Sequence, residues 1–196
     1  LAAWVLVPAA LLRVVLARPI VSILFLHGEL GADAADRIAA TLQLLVPFMV
    51  ALGGINIVKK AYFALDDRTT LLYVGFLGLG ITAGAGYLLS ARMGVEGLGI
   101  ALSVSSAAQL AAYLGILRLK MGSKLGLGGL AMPLLKRLAA ALPATVASFW
   151  LCTYGDWDRG PAAMRNWIVL AAAGLLAVTI YLVLAWAFKV SLVRDL

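Results

Sequence analysis

Residues 166–188 read NWIVLAAAGLLAVTIYLVLAWAF, 23 consecutive positions without a charged side chain. As an α-helix this stretch rises about 35 Å at 1.5 Å per residue, enough to cross the roughly 30 Å hydrocarbon core of a bilayer. A membrane β-strand would instead alternate apolar and polar residues over about ten positions, and this run is apolar on every side. In hydrocarbon no water is present to satisfy backbone N–H and C=O groups, so a helix, which pairs them internally, is the conformation left.

The same pattern recurs toward the N-terminus. Charged residues bracket uncharged runs of 21, 23, 21 and 18 residues at 38–58, 69–91, 97–117 and 138–155. The opening run, 1–17, is interrupted only by Arg13. Helices are therefore expected at about 1–17, 38–58, 70–91, 97–117, 138–155 and 166–188, in one all-α integral membrane domain of about six transmembrane helices over 1–196. Arg18-Pro19 is expected to end the first helix, with 20–26 forming a short interfacial helix. Pro47 and Pro143 are expected to kink their helices. The chain starts at Leu1, inside an apolar run, and is expected to be a piece of something longer.

Of the 196 residues, 64% are hydrophobic and 13% charged, against about half and a quarter in a soluble domain; the surplus apolar surface must face lipid. The net charge is +7, and the cations are unevenly placed. The segments 59–68, 118–137 and 189–196 hold ten Lys/Arg and three acids, whereas 18–37, 92–96 and 156–165 hold five Lys/Arg and six acids. The positive-inside rule puts the first set, and so the C-terminus, in the cytoplasm. No interleaved basic and aromatic platform suggests nucleic acid as a partner.

The sequence contains no constellation that carries catalysis, and no enzyme, cofactor or metal is expected. Cys152 is the sole cysteine and His27 the sole histidine, which leaves no disulfide and no multi-histidine site; Cys152 reads as a small packing residue. Ser103, Ser105 and Ser106 have no base nearby in sequence and are expected to bond backbone carbonyls or a neighbouring helix. Asp66-Asp67 is expected in a loop, solvated. Glycines in the second and third runs serve close helix packing or hinges. Lys59-Lys60, at the cytoplasmic end of the second run, either snorkels to headgroups or contacts an anionic substrate such as a lipid pyrophosphate. Arg13, inside the first run, either snorkels or faces a polar cavity.

Several segments together resemble the MurJ/MviN lipid II flippase family, within the multidrug/oligosaccharidyl-lipid/polysaccharide exporter superfamily. Pro19-Ile20, Leu24-Phe25, Gly28, Leu30 and Asp33 or Asp36 are similar to the pattern after the family's ninth helix. Lys60-Ala61-Tyr62-Phe63-Ala64-Leu65-Asp66-Asp67-Arg68-Thr69-Thr70 is similar to its R-A-F-Y-A-L-G-D-T-R-T-P pattern, with Leu71 where the family has Pro. Gly94-Val95-Glu96-Gly97-Leu98-Gly99-Ile100-Ala101-Leu102-Ser103 resembles the pattern before the twelfth helix, and Phe188-Lys189-Val190 the family's ending. Ala111 stands where the family often has asparagine.

The resemblance implies that the six helices are the family's ninth to fourteenth, a C-terminal lobe without the N-terminal lobe and its cavity arginines. It implies a multi-pass protein of the bacterial cytoplasmic (inner) membrane that flips lipid II, or a similar undecaprenyl-pyrophosphate-linked substrate, by alternating access. Membrane lipids and the missing N-terminal lobe are the partners implied, and the superfamily implies coupling to an ion or to the membrane potential. The alternatives are an exporter of another lipid-linked oligosaccharide or of drugs, and a truncated, non-transporting scaffold. The last two helices would hold the lipid tail in a groove, with Phe149, Ala147, Ala173 and Tyr181 as candidate lining, while Lys59, Lys60 and Arg13 are the headgroup candidates.

Overall fold

The computed structural model describes residues 2–26, 31–122 and 128–187. His27, Gly28, Leu30 and the 188–190 ending lie outside these residues. Among these described residues seven α-helices follow in order: α1 (Ala2–Phe25), α2 (Ala32–Leu44), α3 (Val46–Ala64), α4 (Arg68–Met93), α5 (Val95–Met121), α6 (Gly128–Cys152) and α7 (Met164–Ala187). A 3₁₀ segment, Trp157–Ala162, precedes α7. Among the described residues there is no strand. The protein is an all-α integral membrane protein. Among the described residues five stretches are long and apolar enough to cross a bilayer, and Leu138–Cys152 is a shorter apolar helix.

The helix ends differ from the expected ones in three places. The first helix does not stop at Arg18-Pro19 but continues to Phe25, with both Pro8 and Pro19 inside it. Proline removes one donor to the preceding turn, and in a membrane a neighbouring helix can supply another. Gln43 Nε2 of α2 donates to the Val14 carbonyl at 2.8 Å, one residue from the Val15 carbonyl that Pro19 leaves without its helical donor.

The second run is two helices, not one. A turn at Leu45 separates α2 from α3, and Pro47 occupies the first turn of α3, where its missing N–H costs nothing. α3 alone, at 19 residues, rises about 29 Å, close to the roughly 30 Å core. α2 is amphipathic, buries Ala35 and Ala39, and carries Asp33, Asp36 and Arg37. Finally, α6 begins at Gly128, ten residues before the expected start at 138.

Contacts group the chain into two compact units. One contains α1, α2 as far as Gln43, α6 and α7, while Leu44 belongs to the other. In it Ala17 and Val21 of α1 pack on Ala35 and Ala39 of α2. Ala140, Ala141 and Ala144 of α6 meet Ala177, Tyr181 and Ala185 of α7, with Val7, Leu11 and Leu12 of α1 alongside. Small residues at these crossings let backbones approach closely, which is how helices gain contact energy where lipid offers no hydrophobic drive.

The other unit is α3–α5. Its core is Ile55, Val58, Tyr62, Val74, Tyr113 and Leu117, with the Tyr62 and Tyr113 rings 5.5 Å apart. The α4–α5 connection is one residue, Gly94, at φ +61°, whose N–H closes on the Ser90 carbonyl at 2.9 Å. Glu96 lies in the first turn of α5 and Arg118 and Lys120 in its last, so each charge complements the helix dipole.

Candidate functional site

Within the α3–α5 unit, polar side chains of α5 form a hydrogen-bonded ladder. Ser105 donates to the Gly78 carbonyl at 2.7 Å, Gln109 to the Val74 carbonyl at 3.1 Å and Tyr113 to the Leu71 carbonyl at 3.0 Å. The donors are spaced four apart, so they stack on one face of α5, while the acceptors descend α4 in the antiparallel sense. Thr82 donates to Ser105 at 2.7 Å. Ser103 donates to the Leu44 carbonyl at 2.7 Å, Ser106 to that of Ser103 at 3.0 Å, and Tyr62 to that of Tyr113 at 2.7 Å. The three serines thus bond backbone carbonyls, as the sequence reading expected. Thr82, Ser105, Ser106 and Gln109 also line a small cavity of about 140 Å³.

At the α3–α4 turn the expectation of a solvated aspartate pair needs correction. Asp66 is exposed, with φ +52°. Asp67 caps α4: its carboxylate accepts from the Thr70 N–H at 3.2 Å and pairs with Lys120 from the end of α5. Hydrogen bonding to the Lys120 ammonium, and then to Thr70, pulls the Asp67 pKa down to about 2. Lys59 is half-buried and Lys60 exposed, both within the last turns of α3 rather than beyond it.

In the α1–α2–α6–α7 unit, one charged cluster was not read from the sequence. Arg18 of α1 bonds Asp36 of α2 at 2.7 Å and Asp158 of the α6–α7 connection at 2.9 Å. That connection is ordered by Asn166, which is fully buried. Its amide donates to the Asp156 and Gly160 carbonyls at 2.6 and 2.8 Å and accepts from the Asp156 N–H at 2.8 Å. Gly160, at φ +55°, packs so close to α1 that a Cβ would sit 2.5 Å from the Leu26 carbonyl oxygen. Arg13 is half-buried on α1.

The four tail-groove candidates do not share a face. Ala173 is 0% and Tyr181 5% exposed, both inside the seam between α6 and α7. Ser148 Oγ donates across that seam to the Ala173 carbonyl at 2.9 Å. Ala147 is half-buried and Phe149 is 62% exposed. At 100° per residue these two lie on opposite flanks of Ser148. Among the described residues no group of three or more His, Cys, Asp or Glu side chains is placed to hold a metal ion.

The sequence model of the family described as Lipid II flippase MurJ matches residues 1–166. The chain belongs to the MurJ lipid II flippase family. A probable lipid II flippase MurJ from Bdellovibrio bacteriovorus is 23% identical over 185 residues, covering 94% of this chain and 34% of that protein. The chain therefore spans about a third of the length of this MurJ relative. MurJ proteins are transporters rather than catalysts by family description, and the apolar helices make this member a multi-pass membrane protein.

Proposed function

We propose that the chain forms the C-terminal part of a lipid II flippase, which moves an undecaprenyl-pyrophosphate-linked peptidoglycan precursor from the inner to the outer leaflet. The family match over residues 1–166 carries this reading. The physical task is to take a charged, bulky headgroup past about 30 Å of hydrocarbon, where an unshielded charge costs several kcal/mol or more. A helical lobe rocking against a second one around a polar cavity, as alternating access requires, removes that exposure. The remaining helices of the full-length protein would supply the opposite lobe. The ten-to-five distribution of Lys/Arg between the two sets of loops supports an inner-membrane orientation with the C-terminus in the cytoplasm.

In this reading Lys59 and Lys60, at the cytoplasmic end of α3, meet the pyrophosphate as it enters, and Arg13 on α1 faces the headgroup's path. The prenyl tail lies along the outer flank of α6, over exposed Phe149 with Ala147 at the seam's edge. Ala173 and Tyr181 support it from behind by holding α6 against α7. Replacing the matching third of the Bdellovibrio relative with this chain tests the proposal. The chimera should sustain growth of a strain depleted of its own lipid II flippase. A chimera that reaches the membrane at normal levels but does not sustain growth would count against the proposal.

A further inference from the structure

A cavity of about 330 Å³ opens beside Arg18, which lines it together with Val14, Val15 and Pro19 of α1, Gln43 of α2, Phe149 and Cys152 of α6, Thr153 and Trp157. That volume is at the lower end of the range of small-molecule pockets, roughly 300–1,000 Å³. The surface it exposes is mostly apolar, and it is open on one side. At its mouth one guanidinium, Arg18, faces two carboxylates, Asp36 and Asp158, so the three groups sum to −1. The adjacent Arg159 is paired with Asp156 at 3.0 Å and does not offset that charge. Asp158 is the most open member, with 75% of its side chain exposed. A mostly apolar, open pocket with Arg18 in its wall and two carboxylates on that guanidinium, against a helix long and apolar enough to span the membrane, fits an amphiphile whose polar end carries a cation.

We propose that this cavity holds an aminophospholipid. One acyl chain fills the space between Val15, Pro19 and Trp157. The ammonium rests on Asp158 and Asp36, and the phosphate is within reach of Arg18. A purely anionic headgroup would meet the surplus carboxylate, and like-charge contact disfavours it. Because Asp36 belongs to α2 and Asp158 to the α6–α7 connection, the bound lipid would tie together three elements of this unit.

The test uses the full chain, purified in detergent, stripped of lipid, and given equal amounts of phosphatidylethanolamine and phosphatidylglycerol with identical acyl chains. Retained lipids are counted by native mass spectrometry. The expected result is roughly fivefold preference for the ethanolamine lipid, the size of one exposed ion pair of about 1 kcal/mol. Asp158→Asn, at an exposed position, should cut that preference to about twofold or less with unchanged helical content. Val15→Trp, which fills the cavity, should abolish retention of this lipid. Equal retention of the two lipids by the unaltered chain would overturn the proposal, as would a preference that survives Val15→Trp. Displacement of the ethanolamine lipid by an equal amount of undecaprenyl phosphate would overturn it too, because it would mark the cavity as a prenyl site.

Discussion

Gly97 offers a sharp test of how α4 and α5 are held together. The chain leaves α4 at Met93, turns through Gly94 and re-enters a helix at Val95, so the first turn of α5 crosses directly over the last turn of α4. A Cβ at Gly97 would stand 2.3 Å from the Leu89 carbonyl oxygen and 2.5 Å from its carbon. These are backbone atoms and cannot rotate away; relief requires moving one helix by about 1 Å. Overpacking of this kind costs typically 1–3 kcal/mol. At about 2–4 °C per kcal/mol for a chain of this size, Gly97→Ala should lower the melting temperature by roughly 3–10 °C. Gly80 supplies the control, because nothing lies within 4 Å of the Cβ it lacks. Alanine in mid-helix is favoured over glycine by roughly 0.5–1 kcal/mol, so Gly80→Ala should hold or slightly raise the melting temperature. Both variants are measured by thermal unfolding of the purified chain in detergent, followed by circular dichroism. Equal behaviour of the two, or no loss in Gly97→Ala, would refute the crossing geometry.

Asp67 has its folded pKa lowered to about 2, so its contribution to stability is full above the unfolded value near 4 and is lost as pH falls toward 2. Asp67→Asn should remove that pH dependence from melting curves taken across pH 2–4, and an unchanged pH profile would disprove the Lys120 pairing. Neutralising Lys59 and Lys60 together by Lys→Gln in the full-length protein should slow lipid II flipping about tenfold or more, given roughly 1.5–3 kcal/mol for a charge-assisted contact, with membrane levels normal; full activity would reduce both to snorkelling residues. Ala173→Trp should prevent stable folding, because the site is 0% exposed and closed by the Ser148 bond. Ala147→Trp at the half-buried edge should fold and impair flipping. Comparable protein yields for the two variants, or full flipping by Ala147→Trp, would contradict their different placement.

The helical membrane fold was legible because charge punctuates the sequence at intervals close to the bilayer thickness. The helix ends were less legible for a related reason. Lysine and arginine are good helix formers, so α3 continues past Lys59-Lys60 to Ala64 and α6 starts well before Leu138; charge marks the edge of hydrocarbon rather than the end of a helix. Pro19 looked like a stop because the local rule comes from helices in water, whereas proline is tolerated inside a membrane-spanning helix, and α1 runs through it to Phe25. The α5 ladder did leave a signal: Ser105, Gln109 and Tyr113 are polar residues at four-residue spacing within the uncharged run 97–117. The Arg18–Asp36–Asp158 cluster left none, since its farthest partners are 140 positions apart. Nor could sequence separate Ala173 from Ala147. Both are small residues on apolar helices, and only the register of the α6–α7 seam makes one buried and the other marginal.

The central claim is that this chain takes part in carrying lipid II across the membrane. The most direct measurement follows lipid II on the outer leaflet of cells whose own flippase is depleted, using an impermeant enzyme that cleaves the exposed precursor. Cells expressing the chimera between this chain and the remaining two-thirds of the Bdellovibrio relative should yield cleaved lipid II at levels approaching undepleted cells, and Lys59→Gln/Lys60→Gln should reduce that yield. Uncleaved lipid II accumulating inside, in cells whose membranes contain normal amounts of the chimera, would contradict the account.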